Sequence, residues 1–283
     1  MHGKICLVTG ATNGIGKVTA LELAKRGATV IVVGRSPAKT EAVVSEIQAQ
    51  SGSDKVQQAL ADLSSLEATR ALAADIQRRF SRLDVLVNNA GAFFNKRLVS
   101  VDGYEMTFAL NHLSYFLLTA LLLDMLKASA PARIVNVASD AHRGARINFD
   151  DLQAEQKFSG FAAYGRSKLA NILFTYELAK RLQGTQITAN ALHPGFVATG
   201  FGSNNGALMR LGIKVMSKLM GISPEAGAET TLYLATSPEV EGVTGKYFDK
   251  CKAVSSSPAS YEIDARERLW QISEQLCGLT TPV

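Results

Sequence analysis

Short apolar runs recur along this chain, and each is followed by a stretch with helical periodicity. KICLVT (4–9) leads into IGKVTALELAKRG, TVIVVG (29–34) into AKTEAVVSEIQAQ, and VQQALAD (56–62) into SLEATRALAADIQRRF. LDVLVNNA (83–90) precedes a long helical segment over 103–129, and RIVNVAS (133–139) precedes a helix around AYGRSKLANILF (163–174). ITANALH (187–193) runs into a Pro-Gly break and a helix near 224–236, and GKYFDK (245–250) reads as the last strand. Strands that are apolar throughout are those covered on both faces. The alternation therefore predicts an α/β chain, a doubly wound parallel sheet of about seven strands with helices on both sides.

With 283 residues, 47% of them hydrophobic and 19% charged, the chain can bury one large core. No Ser/Gly/Pro-rich linker and no internal repeat divides it, so 1–283 is expected to be a single domain ending in a C-terminal tail at about 251–283. The net charge of +5 comes from scattered lysines and arginines. Nucleic-acid binding, which needs a basic cluster, is not expected, whereas a local anionic ligand such as a phosphate suits the surplus. Cys6, Cys251 and Cys277 are far apart and lack metal-ligand spacing, as in a reduced intracellular protein. MHGKICLVTG runs straight into a strand, so no signal peptide is expected. The greasiest run, YFLLTALLLDML (115–126), contains Thr119 and Asp124 and is shorter than the ~20 residues that span a bilayer; a buried helix is expected there.

Two stretches carry chemistry. The first strand ends in TGATNGIG (9–16), with glycines at 10, 14 and 16. Glycine allows a tight turn and close approach of backbone to a ligand. The helix opening near Ile15 aims its free N–H groups and positive dipole end at the same space. A pyrophosphate fits there, although three glycines alone can be a plain turn. In AYGRSKLANILF, Tyr164 and Lys168 are four residues apart and so share one helical face. A free phenol titrates near pH 10, too high for easy proton exchange, and a neighbouring ammonium pulls that value down. Tyr164 is then a candidate general acid in carbonyl reduction or general base in alcohol oxidation, beside a cofactor that carries hydride. Met alone, such a pair is usually an ordinary helix surface.

TGxxxGxG at 9–16, NNAG (88–91), a helix asparagine at Asn111, VAS ending at Ser139, YxxxK at 164–168 and HPG (193–195) before Thr199 follow one another in the order found in the short-chain dehydrogenase/reductase family. The chain resembles that family over roughly residues 3 to 250. The resemblance implies a Rossmann-like fold and a catalytic tetrad of Asn111, Ser139, Tyr164 and Lys168. Ser139 would hydrogen-bond the substrate oxygen, Lys168 would also hold the nicotinamide ribose, and Asn111 would order a proton path toward Lys168 through water. Ala138 precedes Ser139, so only one serine can fill its role. Cofactor contacts are implied at Gly10, Thr12, Asn13, Gly14, Ile15 and Gly16 around the phosphates, Asp62 and Leu63 around the adenine, and Asn89, Ala90 and Gly91 around the adenosine ribose. Tyr164, Lys168, Pro194, Gly195, Val197 and Thr199 complete that set. At the end of the second strand, where a fold preferring NAD usually carries an acid, stand Gly34 and Arg35. A guanidinium would bind a 2′-phosphate that an acid would repel, so NADP(H) is favoured over NAD(H). The alternative is a solvated Arg35 and an NAD-preferring enzyme.

The long gap from Ser139 to Tyr164, with SKLANILF and HPGFVAT, is most similar to the retinol dehydrogenase branch. A lipophilic aldehyde, ketone, or retinoid- or steroid-like substrate is expected, with Phe93, Phe94 and Phe196 forming an apolar pocket or else belonging to the core. A substrate loop is placed at about 196–222. Its part over 207–221 reads as a basic amphipathic helix, either a lid or a membrane contact. Vertebrate members of that branch are anchored at the N-terminus. A chain that opens on a strand is instead expected to be cytoplasmic, with peripheral membrane contact as the alternative. Leu117, Leu121 and Leu122 suggest a subunit interface and hence a homodimer or homotetramer. His142 and His193 have no metal-ligand partners nearby in sequence. A non-catalytic NAD(P)-binding regulator is the competing reading; the full tetrad favours an enzyme.

Overall fold

Eight strands form one sheet in the order β3-β2-β1-β4-β5-β6-β7-β8. In the computed structural model, which describes residues 1–195 and 222–279, they are β1 (Ile5–Thr9), β2 (Thr29–Gly34), β3 (Val56–Leu60), β4 (Val85–Asn88), β5 (Ala132–Val137), β6 (Ile187–His193), β7 (Tyr247–Asp249) and β8 (Lys252–Val254). All neighbours from β3 to β7 pair in parallel. The chain runs outward from β1 to β3, returns, and continues from β4 on the other side of β1. The switch point thus lies between the C-terminal ends of β1 and β4, where such sheets take up ligands.

Side chains alternate across the strands and feed two cores. Leu7, Ile31, Leu86 and Ile134 point to one face, under α3 (Leu66–Arg79), α4 (Met106–Ala128), α5 (Gly160–Arg181) and α7 (Ile263–Leu276). Cys6, Val8, Val32, Val87 and Val135 point to the other, under α1 (Gly14–Lys25), α2 (Pro37–Ser51) and α6 (Pro224–Thr236). Cys6 is a buried free thiol in that packing.

Three features depart from the sequence expectations. The seven parallel strands are present, but β8 adds an antiparallel edge pairing Phe248 with Ala253. Its hairpin turns through Lys250 and Cys251 at φ 47° and 60°, conformations usually signalled by Asn or Gly. The segment from 251 onward is no mere tail. α7 buries Leu269, Trp270 and, just beyond it, Cys277, while Trp270 stacks on Phe174 at 5.8 Å and under the Arg181 guanidinium at 4.2 Å. Finally, Leu117 and Leu122 are core residues buried within the chain itself, with Leu121 partly covered, so the two buried leucines are not interface residues. α4 is long and apolar enough to cross a membrane, yet 78% of its most apolar window is buried in the fold, as expected of a core helix.

Candidate active site

The β1 end and the β4 end are laced together at the switch point. Asn89 Nδ2 donates to the Thr9 carbonyl at 2.8 Å, and the Asn89 and Ala90 amides both donate to Thr9 Oγ1, at 2.8 and 3.0 Å. Gly10, at φ 62°, passes so close that an added Cβ would lie 2.8 Å from Ala90 Cα. At Gly16 it would lie 2.5 Å from Asn89 Nδ2 and 2.6 Å from the Gly10 carbonyl oxygen. Both glycines are therefore required by contact with backbone, not only by a turn. Above them α1 starts behind Asn13, which is extended and makes no side-chain cap, and the first turn carries no acid. Thr12 and Gly14 are half-buried, and Ile15 packs partly on the second core. A glycine cradle closed by backbone below and a free helix start above fits a diphosphate.

Around this cradle the other expected cofactor residues fall unevenly. Gly34 is buried, and a Cβ there would strike Thr40 Oγ1 and Thr12 Cγ2, so a larger residue at the β2 end would have to displace both side chains. Arg35 follows it, exposed, with no ion pair among the described residues. Asp62 is exposed and accepts hydrogen bonds from the Ser64 amide and hydroxyl, whereas Leu63 is buried in the first core. Pro194 and half-buried Gly195, at φ 84°, follow β6. Phe196, Val197 and Thr199, and the segment over 207–221, lie outside the described residues.

The tetrad converges at the C-terminal ends of β4 and β5. Ser139, just past β5, stands close enough to the Tyr164 phenol to pull its pKa down. Lys168 is 3% exposed, donates to the Val137 carbonyl at 2.9 Å, and sits 5.6 Å from the Tyr164 ring centre. A Cβ on Gly91 would be 3.3 Å from Asn111 Oδ1 and 3.4 Å from Lys168 Nζ, so both side chains border one small space. Gly165 brings α5 against the turn after Ser139, since a Cβ there would lie 2.9 Å from the Ala141 carbonyl oxygen. The electrostatics differ from the sequence expectation. Burial pushes the Tyr164 phenol up to about 12 against the smaller opposing pull of Ser139, and burial lowers Lys168 to about 7. Desolvation of two groups in one pocket outweighs their mutual field.

Asn111 occupies a π-helical turn (Ala109–Leu113) within α4. Its Oδ1 accepts from the Ala92 amide at 2.9 Å, and its Nδ2 donates to the Ala92 carbonyl and Ser167 Oγ, both at 3.0 Å. Ser167 in turn donates to the Tyr164 carbonyl at 2.8 Å. Asn111 thus binds the loop after β4 to α5 through protein groups rather than reaching Lys168 directly. Nothing in the sequence announces the π turn, a form common at functional sites. A second unexpected element is a buried polar ladder. Asn88 donates to Thr119 at 3.0 Å and Asn136 at 2.9 Å, and Asn136 donates to Thr175 at 2.9 Å, joining β4 and β5 to α4 and α5 under the site. The signal for it was an asparagine inside each of two apolar strands.

Of the expected pocket aromatics, Phe93 is buried and Phe94 half-buried. The sequence reading missed Phe161, 74% exposed and one turn before Tyr164. Phe93 lies 4.9 Å from the Phe161 ring and 6.2 Å from Tyr164, so an aromatic row leads from solvent to the phenol. Among the described residues no cluster of His, Cys, Asp and Glu could hold a metal ion.

A family model described as short chain dehydrogenase matches residues 4–208. Retinol dehydrogenase 14 of Homo sapiens is 44% identical over 99% of this chain and 88% of its own length. Retinol dehydrogenase 12 of Mus musculus is 44% identical over 98% and 87%. Among solved structures, an uncharacterized protein from Mycobacterium paratuberculosis has a TM-score of 0.81 at 33% identity, covering 100% of this chain and 96% of its own. A Pseudomonas aeruginosa RhlG/NADP active-site complex has a TM-score of 0.70 at 30% identity, covering 88% and 94%. The doubly wound sheet, the glycine cradle and these matches agree, and the chain belongs to the short-chain dehydrogenase family of oxidoreductases, on its retinol dehydrogenase branch.

Proposed function

We propose that the protein is an NADP(H)-dependent oxidoreductase that interconverts a carbonyl and an alcohol on a lipophilic small molecule. The observation that carries this reading is the convergence of half-buried Ser139 and Tyr164 on the buried Lys168, which borders the Gly91 space beside the glycine cradle. The nicotinamide, when bound, supplies or accepts the hydride. Gly10, Gly14, Gly16 and the first turn of α1 would hold its diphosphate, and Arg35 the 2′-phosphate. Exposed Arg35 beside Gly34, with no acid at the β2 end, supports NADP(H), as does the likeness to the RhlG/NADP complex.

Tyr164 gives its phenolic proton to the substrate oxygen in reduction and takes one from the alcohol in oxidation. Ser139 donates to the same oxygen and stabilises the charge that builds there. Lys168 borders the phenol and the Gly91 space, and Asn111 braces the loop and helix that frame them. A phenol held up at about 12 stays protonated at neutral pH, the form that reduction draws on. The exposed Phe161 and buried Phe93 give the entrance an apolar wall, and the similarity to retinol dehydrogenases supports a retinoid-like aldehyde as one substrate. NADPH absorbance followed against retinal, long-chain aldehydes, steroids and quinones tests the proposal. Turnover of at least one of them is expected; no turnover of any would overturn it.

A further inference from the structure

One fully buried imidazole touches the catalytic group and has no part in the chemistry above. His142 lies in the 3-10 turn Asp140–Gly144 that begins at Ser139. Its Nδ1 is 2.7 Å from the Ser139 carbonyl oxygen, and its Nε2 is 3.0 Å from the Ser257 main-chain nitrogen. An amide N–H can only donate and a carbonyl can only accept. The ring proton must therefore sit on Nδ1, given to Ser139, while Nε2 keeps a lone pair for Ser257. That is one tautomer of the neutral ring, and the ring lies edge-on to Tyr247 at 4.9 Å.

Both ends of this bridge are themselves held. On the Ser139 side, Ser139 Oγ accepts from the Ala141 amide at 3.2 Å, and the Asp140 amide donates to His193 Nδ1 at 3.1 Å. On the far side, Ser260 Oγ donates to the Ser257 carbonyl at 2.6 Å. Ser256 Oγ shares hydrogen bonds with Ser260 at 2.6 Å and with the Tyr176 hydroxyl of α5 at 2.7 Å. Arg143 also reaches the Ser255 carbonyl, at 3.3 Å. The peptide that carries the Ser139 hydroxyl is thus hung, through one ring, on a segment near the end of the described chain, well past residues 4–208 that the family model matches.

We propose that His142 is a positioning residue for the reaction: its Nδ1–H fixes the Ser139 main chain so that the hydroxyl meets Tyr164, and its Nε2 anchors that turn to Ser257. The proposal rests on the oxidoreductase reading above, with Ser139 as the group that binds the substrate oxygen. A buried histidine kept only for stability would need both hydrogen bonds about equally. A positioning histidine needs the one to Ser139 most.

Asparagine and glutamine separate the two roles. In His142→Asn the amide NH₂ takes the place of Nδ1–H and keeps the bond to Ser139; in His142→Gln the amide oxygen takes the place of Nε2 and keeps the bond to Ser257. The expected result is that His142→Asn stays within about threefold of wild-type kcat, while His142→Gln loses on the order of 10- to 100-fold in kcat with NADPH affinity unchanged, the scale of a misplaced catalytic group. Equal losses in the two variants, or full kcat in His142→Gln, would overturn the role. In case neither variant folds, the imidazole ¹⁵N spectrum of wild-type protein is the second measurement, and an Nε2–H tautomer or an imidazolium at pH 7 also overturns it. If wild type turns over nothing in the substrate panel, the oxidoreductase reading falls first; if it turns over and Gln matches Asn, only the role of His142 falls.

Discussion

Lys168 Nζ lies 5.6 Å from the centre of the Tyr164 ring, and its hydrogen bond goes to the Val137 carbonyl. The amine is therefore near the phenol yet buried at a cost to its own charge, which lowers it to about 7. An unfolded lysine titrates near 10.4. Between those two values the unfolded chain holds a proton that the folded chain lacks, so stability against unfolding rises with pH across the window, by up to ~1.4 kcal/mol per unit from this group. Denaturant unfolding of cofactor-free protein should show wild type gaining on Lys168→Met from pH 7 to pH 10. Curves that keep a constant separation would contradict the buried amine.

Tyr164→Phe removes the transferable proton and little else, because the ring and its contact with Phe93 remain. We expect kcat to fall by about 10²–10⁴-fold, with NADPH binding by fluorescence titration unchanged. In the oxidation direction, where the phenolate is required, wild-type kcat should climb with pH through the alkaline range, since burial holds the phenol up at about 12. A plateau at neutral pH would show that the bound cofactor resets the phenol.

Arg35 is exposed at the β2 end, beside a buried Gly34 packed against Thr12 and Thr40. Arg35→Ala should raise the KM for NADPH roughly 10- to 100-fold, the worth of a charge-assisted hydrogen bond, and leave that for NADH within a small factor. Equal effects on both cofactors in steady-state kinetics would mean that the guanidinium does not read the 2′-phosphate.

Trp270 is 2% exposed and contacts Phe116 and Phe174 at 4.9 and 5.8 Å. Trp270→Ala should cost about 3–5 kcal/mol, measured by urea unfolding. A cost under ~1 kcal/mol would show that α7 is a surface attachment.

The strands were readable because a parallel strand covered on both faces must be apolar throughout; β2 and β6 fall where TVIVVG and ITANALH stand. Tyr164 and Lys168 were readable because helical spacing alone puts them together. α7 was not, because its buried surface is concentrated in Leu269, Trp270 and Ser273 among charged neighbours, and that pattern becomes a core face only against α5. The direction of the Tyr164 shift was hidden for a related reason. Spacing reports that two groups are close, but how much water they lose depends on Tyr115, Phe93 and the sheet beneath them. The bracing by Asn111 depends on a π turn, which is a matter of backbone register with no composition of its own.

The helix that seals the Phe116–Phe174 cleft is made after every strand of the sheet. During synthesis that aromatic trough stays open until Trp270 has left the ribosome, so a stalled or nicked product ending before Ile263 would carry an adhesive surface and be prone to clump or to be captured by chaperones.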